Sequence, residues 1–214
     1  GERVTVESHM ERRWLAAGLL LARMVLVPVE ASAEPPRLVV VLVIDQMRSD
    51  YIDRYQHHWT AGLKRLLADG AWFRHTAYPY LGTVTCAGHA TISTGTFPAT
   101  HGMILNGWWD REQAALIRCT DDDEHPNVSY GGPVEGGTSA RWLAAATLSD
   151  ELRAQGSGPN RVVSLSLKAR STAMLAGQAA DVALWFDDVG SWVTSTAYSN
   201  QPIPFVQAFI GANP

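Results

Sequence analysis

The sequence predicts an α/β fold, and three observations predict it. The aliphatic run LVVVLVI at 38–44 ends directly on Asp45, as a strand buried on both faces would. Further apolar runs at 161–167 and 182–186 alternate with segments of helical periodicity. Gly or Pro stands at most of the junctions between them.

Element by element, the run at 38–44 is the first strand. A helix over 59–69 follows, stopped by Gly70, and AWFRHTAY at 71–78 reads as the second strand. The stretch TVTCAGHATISTG at 83–95 then predicts a short buried helix: its Pro-free interior carries Ala87, Ala90 and Ile92 at apolar spacing, and Gly95 ends it. TFPATHGMILNGWWD at 96–110 is a loop bearing His101 and Asn106. Residues 120–137, with Asp121, Asp122, Asp123 and Glu124 followed by several glycines, read as a solvated surface loop; a calcium site there lacks a ligand pattern. Thr138 or Ser139 caps a helix running to Gln155, with Trp142, Leu143, Ala146 and Leu152 as its inner stripe. A strand over 161–167 leads to Lys168 and Arg170. A helix over 171–176 and strands over 182–186 and 192–196 complete the alternation.

Composition bounds the function. The 214 residues, 46% of them hydrophobic, suffice for a core, and a net charge of −4 with scattered Lys and Arg argues against nucleic acid as a partner. From Met10 the chain reads Glu-Arg-Arg, then an apolar run over 14–29, then Ala31-Ser32-Ala33, the small-residue pattern of a signal-peptidase site. We therefore expect an upstream extension over 1–9, a signal peptide over 10–33 and a mature chain from Glu34, periplasmic or secreted. No stable membrane association is expected after cleavage: Arg23 and Pro28 interrupt the run, which is short for a membrane anchor. Oligomeric state is not readable. Cys86 and Cys119 could pair in an oxidising compartment, or Cys86 could act as a thiolate with His89 one turn away.

Four features carry chemistry. Asp45 ends a buried strand, where open α/β sheets bind ligands and metals, or else caps the following turn. Thr85 sits at a helix N-terminus, where free N–H groups attract anions; it is either an N-cap or a nucleophilic hydroxyl facing phosphate. Lys168 and Arg170, two apart in an extended chain, would face the same way and converge on one anion, or lie solvated. Asn106 follows in the loop.

Together, VVVLVIDQMRSDYIDRY, TVTCAGHATISTG with FPATHG, the Asn of ILNGWWD, and VVSLSLKAR followed by WFDD resemble the alkaline phosphatase superfamily. The resemblance is to its exported phosphatase branch, which is similar to type I phosphodiesterases and nucleotide pyrophosphatases. It runs from about residue 38 to the end. It implies a central, mostly parallel sheet flanked by helices and a two-zinc site for small phosphate esters. By that resemblance Asp45 ligates a zinc ion and Thr85, bound to the same ion, is the nucleophile that becomes a phosphothreonine. Asn106 donates to a phosphoryl oxygen, and Lys168 and Arg170 contact the phosphoryl group and favour a monoester. Asp187 and Asp188 are structural.

The departure concerns the remaining zinc ligands. Family members carry them well downstream, whereas His75, His89 and His101 do not match ligand positions and only Asp45 and Thr85 are offered here. Residues 34–214 are thus expected to be the N-terminal portion of an alkaline-phosphatase-like domain, incomplete at the C-terminus and inactive alone. A phosphodiesterase of the same superfamily, a hydrolase centred on Cys86 and a non-catalytic phosphate-binding fragment are the alternatives.

Overall fold

A computed structural model of the chain describes residues 36–156, 160–188 and 190–213. The expected extension and signal peptide lie outside the described residues. Two compact units divide between Leu42 and Val43, and all the elements below belong to the second. In chain order its helices are α1 (Tyr51–Arg54), a 3-10 turn (Gln56–His58), α2 (Gly62–Asp69), α3 (Thr85–Thr94), α4 (Pro98–His101), α5 (Leu148–Gln155), α6 (Ala169–Ala176) and α7 (Pro204–Ala212). Its strands are β1 (Gly107–Asp110), β2 (Ala115–Arg118), β3 (Asp121–Ser129), β4 (Gly137–Thr138), β5 (Val163–Leu165), β6 (Val182–Phe186) and β7 (Trp192–Ser195). No helix among the described residues is long and apolar enough to cross a membrane.

The class is α/β, a sheet flanked by helices. Five strands lie in the order β4-β3-β7-β6-β5, and β1 and β2 form a separate antiparallel hairpin. The large sheet is mixed rather than mostly parallel. Only β5 and β6 run parallel, joined by α6, while β6–β7, β7–β3 and β3–β4 are antiparallel. The run VALWF forms β6 because a strand paired on both edges buries nearly every side chain, and four of its five are buried.

Helix α3 begins and ends where TVTCAGHATISTG says it should. Gly95 takes a left-handed conformation (φ 65°) and donates its N–H to the Thr91 carbonyl, closing the helix at low steric cost. Its faces are small, and it packs through Cys86 and Ala90 onto Ala173 and Met174 of α6, in a core completed by Met103, Cys119, Ala140 and Leu143. Ser93 donates its hydroxyl across this interface to the Met174 carbonyl at 2.6 Å.

Several expectations are corrected. Residues 38–44 form no strand: they find no ladder partner among the described residues, and most of their aliphatic side chains are exposed. A β conformation without a neighbour leaves its N–H and C=O groups to water. Residues 71–78 likewise form no strand, their one long-range anchor being the ion pair of Arg74 with Asp53 at 2.6 Å. The acidic stretch expected as a surface loop is instead β3, with Asp122 buried to 1% exposure. No helix starts at Thr138 or Ser139. Helix α5 starts after Thr147, whose side chain accepts from the Asp150 N–H while the Asp150 carboxylate accepts from the Thr147 N–H, a capping box. Within the expected inner stripe, Leu143 is buried and Leu152 is exposed.

Candidate active site

The N-terminus of α3 is the centre of the site, and its capping is unusual. The N-cap position is Val84, whose side chain has no acceptor, so Thr85 is the first helical residue and not the N-cap. One of the orphan amides is satisfied from elsewhere: the Cys86 N–H donates to Asn106 Oδ1 at 2.9 Å. Asn106 thus spends its oxygen on the helix end. Its amide NH2 makes no hydrogen bond among the described residues and remains a donor.

Around Thr85 three groups converge from distant parts of the chain. The Thr85 hydroxyl donates to Asp45 Oδ2 at 3.5 Å, and Lys168 Nζ lies 3.8 Å from the same carboxylate oxygen. Thr85 is nearly buried, whereas Asp45 and Lys168 are partly open to solvent. His89, one turn along α3, bonds through Nδ1 to the Thr85 carbonyl at 2.8 Å; a carbonyl only accepts, so Nδ1 carries the proton. No hydrogen bond joins His89 to the Thr85 hydroxyl among the described residues.

Lys168 and Arg170 do not lie on one extended strand. Strand β5 ends at Leu165, Lys168 is the N-cap of α6, and Arg170 is in its first turn. Both nevertheless line one open cavity of about 800 Å³ together with Asn106, whereas Thr85 and Asp45 are not part of its lining. Arg170 Nε is buried without a hydrogen-bond partner among the described residues, a donor held in reserve. Arg118, Asp121 and Trp185 also line that cavity and were not singled out in the sequence: Asp121 because β3 was read as a loop, Arg118 and Trp185 because nothing local marks the ends of β2 and β6 as a wall.

Cys86 and Cys119 form a disulfide, with Cα atoms 6.6 Å apart. No free cysteine is present among the described residues, so the thiolate hydrolase reading is set aside: the sulfur is already bonded. Asp187 accepts from the Ser191 N–H at 2.7 Å across the β6–β7 turn.

Asp45 and Thr85 set two oxygen donors side by side, which suits a hard or borderline divalent ion. Zinc takes about four ligands, and among the described residues there is no grouping of three His, Cys, Asp or Glu. The residues present therefore fit one part of a zinc coordination shell.

The family model of type I phosphodiesterase / nucleotide pyrophosphatase matches residues 39–211. The chain is 35% identical over 204 residues to the alkaline phosphatase PafA of Elizabethkingia meningoseptica, covering 94% of this chain and 37% of that protein. It is 38% identical over 176 residues to the alkaline phosphatase PhoV of Synechococcus elongatus, covering 81% and 32%. The crystal structure of wild-type PafA superposes with a TM-score of 0.79 at 37% identity, covering 83% of this chain and 35% of that one. A PafA variant with a threonine, an asparagine, a lysine and an arginine replaced together superposes with a TM-score of 0.75 at 34% identity, covering 80% and 34%. The chain spans about a third of the length of these relatives.

Proposed function

The chain belongs to the type I phosphodiesterase / nucleotide pyrophosphatase family, within the alkaline phosphatase superfamily, and from that premise we propose that it carries the nucleophile-bearing part of a zinc-dependent phosphomonoesterase. The observation that carries the proposal is the convergence of Thr85 and Lys168 on one oxygen of Asp45, with Lys168 also lining the cavity that Asn106 and Arg170 line. A second support is spacing. The four residues replaced in the PafA variant stand 21, 62 and 2 positions apart, as do Thr85, Asn106, Lys168 and Arg170.

In this reading Asp45 and Thr85 would hold a zinc ion, which would supply the Lewis acidity that favours the ionised form of the threonine hydroxyl. Thr85 Oγ1 forms a bond to phosphorus while the ester P–O bond breaks and the alcohol leaves with a proton. Water then cleaves the phosphothreonine to release inorganic phosphate. The Asn106 amide donates to a non-bridging oxygen, its orientation fixed by the bond its own carbonyl oxygen accepts. The unfilled N–H groups of the α3 terminus add positive potential where the phosphoryl oxygens sit. Lys168 and Arg170 contact the terminal oxygens; a monoester dianion rewards both cations, and a diester replaces one charged oxygen with a neutral substituent. Small phosphate esters are the proposed substrates, and the disulfide agrees with an exported protein, periplasmic or secreted.

The family's description favours a second reading, a phosphodiesterase. The test is hydrolysis of an aryl phosphate monoester and the matching diester with zinc present. Because the described residues offer two of about four zinc ligands, turnover by this chain alone is expected to be far below an enzymatic rate, and inorganic phosphate binding by calorimetry is the companion readout. In the enzyme with its remaining zinc ligands supplied, Lys168→Ala with Arg170→Ala should lower monoester kcat/KM at least tenfold more than diester kcat/KM, since each charge-assisted hydrogen bond contributes about 1.5–3 kcal/mol. Thr85→Ala should abolish turnover. Equal losses on both esters would make the cations structural, and a wild type that prefers the diester would establish the second reading.

A further inference from the structure

Asn106 is gripped at both of its ends by the two halves of one cystine. Its side-chain oxygen accepts from the Cys86 N–H at 2.9 Å, and its backbone carbonyl accepts from the Cys119 N–H at 3.0 Å. Cys86 and Cys119 are themselves joined, and both sulfur-bearing side chains are buried in the core beneath α3. We propose that the Cys86–Cys119 disulfide is a positioning device that holds Asn106 against the N-terminus of α3, at a fixed distance from Thr85. This rests on the phosphatase reading for its consequence in binding, though not for its geometry.

The physical argument concerns what would hold Asn106 otherwise. It directly precedes β1, whose ladder with β2 pairs Gly107 with Arg118 and continues into the Cys119 bond, so the hairpin carries Asn106 along with Cys119, while Met103 and Trp108 to either side pack in the core. That ladder does not set the distance of Asn106 from α3. Two hydrogen bonds to backbone amides fix both its position and its rotation, but only if those amides keep their separation. One amide belongs to the first turn of a helix and the other to the residue following β2, elements that share no hydrogen-bonded ladder. The covalent link between Cys86 and Cys119 sets that separation. A donor displaced by about 1 Å loses much of its effect on a developing charge, on the order of a hundredfold in well-ordered sites. The link therefore acts through Asn106, and Cys86 and Cys119 are positioning residues.

The test uses the whole chain in four forms: wild type, Asn106→Ala, Cys86→Ala with Cys119→Ala, and all three changes together. Amide hydrogen exchange reads the clamp. In the variant without the disulfide, protection of the residue 86 amide should fall at least tenfold relative to that of Ala90 and Ser93 in the same helix. In oxidised Asn106→Ala, the Cys86 amide should lose protection while the disulfide persists. Inorganic phosphate affinity, measured by calorimetry with zinc, reads the consequence. Removing the disulfide should weaken it about as much as Asn106→Ala, roughly tenfold, and the triple change should add nothing further, the non-additivity expected of groups acting through one another. A uniform loss of protection along α3, a Cys86 amide that stays protected without Asn106, or additive losses in affinity would each overturn the proposal. If the cysteine variant does not fold, the Asn106→Ala exchange experiment decides alone. A wild type that binds no phosphate refutes the phosphatase reading, while the exchange pattern still settles the clamp.

Discussion

Replacing Asp122 with Ala should destabilise the protein by about 3 kcal/mol, a value set by what surrounds the carboxylate. Its side chain is 1% exposed and accepts from the Ser139 hydroxyl, His125 Nδ1 at 2.7 Å, the Glu124 N–H at 3.1 Å and the Arg141 guanidinium at 3.2 Å. Hydrogen bonds to a charged group contribute about 1.5–3 kcal/mol each. Arg141 and His125 are more than a third exposed and recover water when the carboxylate goes, so most of their share is discounted. The buried Ser139 hydroxyl and the Glu124 N–H do not recover so easily. For a chain of this length about 3 kcal/mol corresponds to a fall in Tm of roughly 6–12 °C. Acid supplies the second half of the test. Burial pushes the Asp122 carboxyl up, but the Ser139 hydroxyl, His125 and the Glu124 N–H outweigh it and hold the pKa below the usual carboxylate value. A depressed folded pKa gives stability that is present above the unfolded value and lost as pH falls through the folded one. The gap between wild type and Asp122→Ala, measured by urea unfolding, should therefore be constant from pH 7 to about 5 and narrow below about pH 4. A gap under about 1 kcal/mol, or one that does not narrow in acid, would refute the reasoning.

Two more predictions concern the frame of the site. Gly177 ends α6 at φ 67°, and a Cβ there would run into Thr147 Oγ1 and both carboxylate oxygens of Asp150, so Gly177→Ala should cost about 3 kcal/mol or more in urea unfolding. His101 is fully buried; its Nδ1 accepts from the Met103 N–H, so its proton is on Nε2, which donates to Thr91 at 3.0 Å, and burial lowers its pKa. The unfolded chain then takes up a proton near pH 6.5 that the native state refuses, so stability falls as pH drops below about 6.5, by at most about 1.4 kcal/mol per pH unit. His101→Gln should flatten that slope, seen as Tm against pH; an unchanged slope would assign it to another group.

What was legible in the sequence is what local rules decide. Helix α3 could be read because its small apolar residues and Gly95 agree with one another, and β6 because VALWF suits only a strand covered on both faces. The acidic β3 could not, since a strand of Asp, Glu and His becomes tenable only once Ser139 and Arg141, from beyond β4, surround Asp122. The alanines at 144–146 imitate a helix, yet the Ala144 N–H is bonded to the His101 carbonyl and the capping box at Thr147 takes the start instead. The pairing of Asp45 with Thr85 spans 40 positions, and no local rule brings them together. Each was singled out locally, at an expected strand end and a helix start, and only the family resemblance joined the two. Lys168 and Arg170 were expected to face one way along an extended chain; they stand instead at a helix start, both lining one cavity.

The interface of α3 with α6 bears on how this site could change over time. The helix that presents Thr85 and the helix that begins at Lys168 and carries Arg170 meet through Ala90, Ala173 and Met174, and Ser93 ties one to the other. Alanines in such a contact leave no slack: a methylene added at Ala90 or Ala173 must push the two axes apart, because a close-packed interior has no void to receive it. The gap between Thr85 and the cations Lys168 and Arg170 is thereby written into buried residues that lie outside the site. Under the proposed function, drift at those buried alanines would retune the span offered to a phosphoryl group, and a lineage could shift its preference between esters while every polar residue of the site stayed as it was.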